Sequence, residues 1–175
     1  MSNTDKRNGF NLITSGGRQP RRVKRYYDGS DDTAIFPGDA YTIEADGNVA
    51  ALSGGTEAPN GIVEALDLTG INEGPTSYDY FPVGVAGYVI GIEDDDAEFE
   101  VTTSATITAD YYDTGAEVDV DVGTAGSTSL RQSRMAVGDA GGDQFRLVRP
   151  VDRQGNDKYA QYARVVVKLI PANVQ

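Results

Sequence analysis

An all-β fold, a β-sandwich or barrel of jelly-roll-like kind with an extended N-terminal arm, is what this sequence predicts. Three observations carry that expectation. Short apolar-alternating runs recur at roughly ten-residue spacing, 21 glycines and seven prolines punctuate them, and no segment has the apolar period of a three-turn amphipathic helix. Short strands separated by Gly/Asp turns are the signature of sandwiches and barrels.

Each element follows from its local pattern. Tyr41-Thr42-Ile43-Glu44-Ala45 alternates, meets Asp46-Gly47, and resumes as Asn48 to Leu52. Asp-Gly between two such runs predicts a hairpin, with a type I′ turn if both central residues take positive φ. Gly61 to Leu66 reads as the next strand. Val83 to Ile92 is apolar and interrupted by Gly84, Gly87 and Gly91, which predicts a buried strand with a bulge or a close backbone contact. Phe99 to Thr103 continues the series, and Ser104 to Tyr112 is expected to hold at most one short helical turn. In Glu117-Val118-Asp119-Val120-Asp121-Val122 the period is strictly two, so valines face a core and carboxylates face water. Gly123 to Ser129 is expected to be a polar turn. Phe145 to Arg149 reads as a strand stopped by Pro150, Gln154 to Asp157 as a loop, and Tyr162 to Ile170 as a strand closed by Pro171.

Charge divides the chain. Between Tyr26 and Leu130 lie 22 acidic residues and no Lys or Arg. Residues 1–25 carry a balance of +6 and residues 131–175 a balance of +4, which leaves the net charge of −12. The domain expectation is therefore a basic extended arm over 1–25 and a single β domain over 26–175. In the arm, Phe10, Leu12 and Ile13 form a small apolar cluster, and Arg18, Arg21, Arg22, Lys24 and Arg25 supply five cations in eight residues. Extended at ~3.3 Å per residue, 25 residues reach up to about 80 Å, enough to cross a neighbouring subunit. The expected role of these eight side chains is docking on another protein. The carboxylates behind them oppose nucleic acid and anionic lipid at short range, so neither is an expected partner.

Composition removes much chemistry. His, Cys and Trp are absent, which excludes Ser-His-Asp and Cys-His nucleophile systems, His- or Cys-held zinc, and disulfides. No apolar run of about 18 residues predicts a membrane span, and no apolar segment behind the first basic residues predicts a secretory signal. No enzyme activity and no cofactor are expected. Asp94, Asp95 and Asp96 are a weak candidate for a hard cation, without the spacing of an EF-hand. The face of Glu117, Asp119 and Asp121 calls for cationic neighbours across the ladder, and the arginines at 131, 134, 146 and 149 are the basic residues close downstream.

Several segments carry a resemblance. They are Ala34-Ile35-Phe36-Pro37-Gly38-Asp39-Ala40 before the hairpin, Gly61-Ile62-Val63, Ile92 to Val101 with its run Glu93-Asp94-Asp95-Asp96, Ala109-Asp110 through Gly115, Thr128-Ser129-Leu130, and Phe145-Arg146-Leu147. In these the chain resembles the small head decoration, or cement, proteins of tailed bacteriophages. The resemblance spans about four-fifths of the chain. It departs from the family in lacking a proline after the aspartates and in the high charge of the arm. It implies a β-rich virion protein, made in the host cytoplasm and bound outside the capsid as a homo-oligomer (trimer or dimer), clamping adjacent major capsid subunits and so stabilising the head. The family has no catalytic residues to carry over. An alternative of another class is a cation-dependent adhesion or binding module of a tail or surface structure.

Overall fold

The structure, a computed structural model, describes residues 9–30, 33–54, 57–69, 79–122 and 132–170. Eleven named strands and one short helix form the described fold: β1 (Asn11–Ser15), β2 (Arg22–Tyr27), β3 (Ala40–Ile43), β4 (Val49–Ala51), β5 (Gly61–Asp67), β6 (Gly87–Ile92), β7 (Ala97–Thr102), α1 (Ala109–Thr114), β8 (Glu117–Asp121), β9 (Ala136–Ala140), β10 (Phe145–Pro150) and β11 (Arg164–Leu169). They make two antiparallel sheets, one in the order β1-β7-β11-β10-β8-β9 and one in the order β2-β6-β5-β3-β4. The all-β sandwich expected from the spacing of strands and turns is what forms. The chain crosses between sheets at β1–β2 and at β6–β7 and otherwise winds within one sheet. Jelly-roll wiring alternates between sheets more often than this.

The expected strands appear with instructive shifts. The hairpin of β3 and β4 closes through Glu44 to Asn48: the Glu44 amide donates to Asn48 O at 2.9 Å and the Gly47 amide to Glu44 O at 2.9 Å. Among the residues of that turn Gly47 alone has a positive φ, 88°, so it is not the type I′ turn. The loop is longer, and one left-handed residue suffices to close it. Strand β6 starts at Gly87 rather than Val83, because Pro82 to Val85 forms a turn (Val85 N to Pro82 O, 3.0 Å). The helical turn forms at Ala109–Thr114, ended by Gly115 at φ 62°. Gly123 to Ser129, Thr128 to Leu130 and Arg131 lie outside the described residues.

One core joins the two sheets. Phe99, Val101, Val118, Phe145, Val165 and Val167 of the first sheet pack with Tyr41, Val49, Ile62, Val89 and Ile92 of the second, all essentially inaccessible to water. Burial of this kind stabilises by roughly 25 cal/mol per Å² of apolar surface removed from water. Gln144, fully buried, ties loop to sheet: its Nε2 donates to Gly54 O (3.1 Å) and Glu57 O, while its Oε1 accepts the Val120 amide at 2.6 Å. On β8, Val118 and Val120 are buried and Glu117, Asp119 and Asp121 are half-exposed, as the period-two pattern requires. The ladder neighbour that the carboxylates call for is Arg146, which pairs with Glu117 in register, its Nη2 lying 3.0 Å from Glu117 Oε1.

The expected arm is corrected by the fold. From residue 9 onward the first 25 residues belong to both sheets. Strand β1 pairs with β7, and β2 pairs with β6 over its whole length. Phe10 is 3% exposed and stacks on Phe145 with ring centroids 4.6 Å apart. The physical reason is that the acidic body and the basic segment are mutually attractive parts of one chain. The arm's apolar cluster also supplies a ring that the core takes up. Residues 1–8 lie outside the described residues.

Candidate functional site

Three of the residues expected to dock on another protein, Arg18, Arg21 and Arg25, meet at the corner where β6 passes into β7. Glu93 to Asp96 form that corner, closed by the Ala97 amide donating to Asp94 O at 3.1 Å. Asp94 is buried. Its Oδ1 accepts the Asp96 amide (3.1 Å) and its Oδ2 accepts the Arg21 amide (3.2 Å). Through Asp94, the acidic run organises the backbone of the corner.

Onto this corner fold three cations of the basic segment. Arg18 Nη2 stands 2.7 Å from Asp96 Oδ2 and 3.6 Å from Asp94 Oδ1. Arg21 reaches Glu93 at 3.8 Å. Arg25 grips Glu93 with both arms of its guanidinium, at 2.6 and 2.8 Å. The Tyr41 hydroxyl donates to the same carboxylate at 2.9 Å. Burial alone pushes the Glu93 carboxyl up; the Arg25 and Tyr41 hydrogen bonds and the charges of Arg25 and Arg21 outweigh it and hold the group below its usual range. Burial first, and the Glu93 anion second, push the Tyr41 phenol far above its ordinary value.

Tyr41 can reach Glu93 only because two ladder positions carry no side chain. A Cβ on Gly91 or Gly61 would run into the Tyr41 ring and hydroxyl. The close contact expected from the glycines of Val83–Ile92 is therefore real, and Tyr41 is its partner. Along the rest of β2, Arg22 forms a two-pronged pair with Glu64 (2.5 and 2.6 Å). Lys24 lies 2.6 Å from Asp67 and 4.3 Å above the Tyr88 ring. The Lys24 hydrogen bond holds the Asp67 carboxyl well below the usual range.

The eight expected contact residues thus divide. Phe10 is in the core, Leu12 packs against it, and Ile13, 45% exposed, faces outward. Arg18, Arg21, Arg22, Lys24 and Arg25 each face a carboxylate of their own chain. Glu93, Tyr41 and Asp94 are the members of this cluster that sequence reasoning did not single out as its centre. The clue available was the pair of glycines opposite a tyrosine, legible only once the register is known.

The weak cation candidate sits at the same corner. Carboxylate oxygens of Asp94, Asp95 and Asp96 lie within 4.8 Å of one another. Two of the three carboxylates already face Arg18, and Asp94 also accepts two backbone amides. A guanidinium and two N–H groups supply the positive charge that a metal would bring. Away from this corner, an open polar groove of about 540 Å³ is lined by Thr114 to Glu117, Gly141, Gly142 and Arg146.

Comparison with known protein families, with curated proteins and with solved structures finds no match.

Proposed function

We propose that this chain is a head decoration module of a tailed bacteriophage. In this reading it binds the outer surface of the capsid beside the major capsid protein, as a homo-oligomer, and stabilises the head. A protein that binds only the assembled shell shifts the balance against disassembly, and repetition over an icosahedral lattice multiplies modest contacts. The observation that carries the reading is the place of the resembling segments in the fold. Ile92 to Val101 is a crossing between the two sheets, and Ile35 to Ala40 is the buried loop against which the N-terminal segment packs.

The docking device in this reading differs from a long free tether. The cations of 18–25 pair with carboxylates of the module's own corner and of β5. Contact with a shell then falls to residues 1–8, which carry Lys6 and Arg7, and to outward-facing side chains such as Ile13. The test is cosedimentation of the purified chain with undecorated, expanded heads of the phage that encodes it, read together with the temperature at which those heads come apart. Saturable binding with a raised disassembly temperature is expected. No binding at about 100 μM, or binding without stabilisation, overturns the proposal.

A further inference from the structure

Asp39 is a carboxyl sealed in the core, 3% exposed. Buried carboxylates ordinarily face a cation or several donors. Asp94 does: it meets Arg18 and two amides. Asp39 has two donors, the Phe36 amide at 2.9 Å and the Ser133 hydroxyl. No charged group is among the influences on its proton affinity: burial dominates and pushes the carboxyl up to about 7 against the pull of Ser133 and Phe36.

The position matters because three segments meet there. The N-terminal segment arrives at Gly9, whose hydrogen faces Gly38 O and the Ser133 side chain so closely that a Cβ would not fit, and the Phe10 amide donates to Gly38 O at 2.8 Å. The turn itself is closed by the Asp39 amide on Phe36 O (3.0 Å) and tied to β5 by Val63 N to Asp39 O (2.8 Å) and Gly38 N to Val63 O (2.7 Å). The segment entering β9 contributes Ser133 and Met135, whose Sδ accepts the Ala40 amide at 3.1 Å. Of the residues these segments bring, Gly9, Phe10, Phe36, Gly38, Ala40, Val63 and Met135 do not titrate near neutrality, and half-buried Arg134 is the charged one.

We propose that Asp39 is a proton-operated latch on the N-terminal strand: neutral, it keeps β1 and the Ser133–Met135 segment seated on the turn, and ionised, it loosens both. An anion in this position needs water or a cation, and among the described residues the sealed site provides neither. The shortest route to water is to part the turn from Gly9 and Ser133. Strand β1 is the element least able to resist, since among the described residues it is an edge strand with β7 as its one ladder neighbour and its register slips between Leu12 and Thr14.

The experiment uses the full chain. Carbon-13 NMR of labelled aspartate reads the Asp39 carboxyl directly, and amide hydrogen exchange, corrected for intrinsic rates, reads β1. Expected are a carboxyl midpoint near 7 and at least a tenfold loss of protection for the amides of residues 10–14 between pH 6 and pH 8, with β1 less protected than β10 and β11 at both pH values. Asp39→Asn should give the same β1 protection at both pH values. A midpoint below 5, pH-independent β1 protection in the wild-type chain, β1 protection equal to that of the central strands at pH 8, or an unchanged pH response in Asp39→Asn would overturn the latch. Should Asp39→Asn fail to fold, the two wild-type measurements decide alone, and neither involves a capsid.

Discussion

Gly91 shows how much one missing side chain decides. Tyr41 occupies the volume that a Cβ at Gly91 and Gly61 would take, and from there its hydroxyl reaches Glu93. Gly91→Ala forces the buried ring or the ladder to move, and overpacking of this kind costs about 1–3 kcal/mol. The expected outcome is a lower urea midpoint at unchanged m-value. Glu93→Gln probes the same cluster from the other side. Removing the anion strands the Arg25 guanidinium, which is 27% exposed. Breaking a buried pair by deleting one partner costs roughly 3–5 kcal/mol, and the partial access of Arg25 to water places this case near the lower end. Chemical denaturation of the two variants measures both effects. A cost under about 0.5 kcal/mol for Glu93→Gln would mean that the corner does not rest on this carboxylate.

At the level of elements, β1 and β2 carry the sharpest prediction. Truncation of residues 1–8 removes none of the described ladder and should leave the denaturation midpoint unchanged. Truncation of residues 1–25 removes β1, the first four of the six residues of β2, and Phe10, whose ring alone contributes on the scale of about 3–5 kcal/mol. It also leaves Glu93, Asp94 and Glu64 facing no cation from the basic segment. That variant should be unfolded or aggregated by circular dichroism and light scattering. A folded, monodisperse 26–175 fragment would show that the arm is an accessory after all. The individual exposed pairs matter far less: Arg18–Asp96, with side chains 63% and 57% exposed, belongs to the class that contributes roughly 0–1 kcal/mol.

For the whole molecule, opposite proton linkages bound the stable range. Glu93, Asp67 and Asp28 hold their protons more weakly folded than unfolded. Their contribution is present above the ordinary carboxylate range and is lost as pH falls through their lowered folded values. Asp39 behaves in the reverse sense. It binds its proton more tightly folded, at about 7, than unfolded, at ~3.9. Stability therefore declines as pH rises across roughly 4 to 7 and levels off above. Ionisation of the remaining carboxylates adds self-repulsion to a chain of net charge −12. Thermal midpoints should peak near pH 5, and Asp39→Asn should flatten the limb between 5 and 7. A midpoint that rises steadily to pH 8 would contradict the assignment.

What the sequence by itself determined is the fold class and most of the strands. Period-two runs such as 117–122 state which face is apolar, and Gly and Pro state where ladders must stop; both are local properties. It also narrowed the cross-ladder cation of the Glu117 face to the arginines at 131, 134, 146 and 149, and the register places Arg146 beside Glu117. The two N-terminal strands were illegible, since Arg22-Val23-Lys24-Arg25 has no clean alternation and becomes a strand only by pairing with β6 and meeting Glu64, Asp67 and Glu93. Strand β9 was missed for a similar reason: Ala136–Ala140 is short and small-sided. The tertiary structure alone decided that the basic segment neutralises its own domain, that Tyr41 and Glu93 meet, and that Asp39 is sealed with no cation on it among the described residues. Each depends on contacts between residues 42 to 95 positions apart, and periodicity within a segment carries no information about the charge or volume waiting across the sheet.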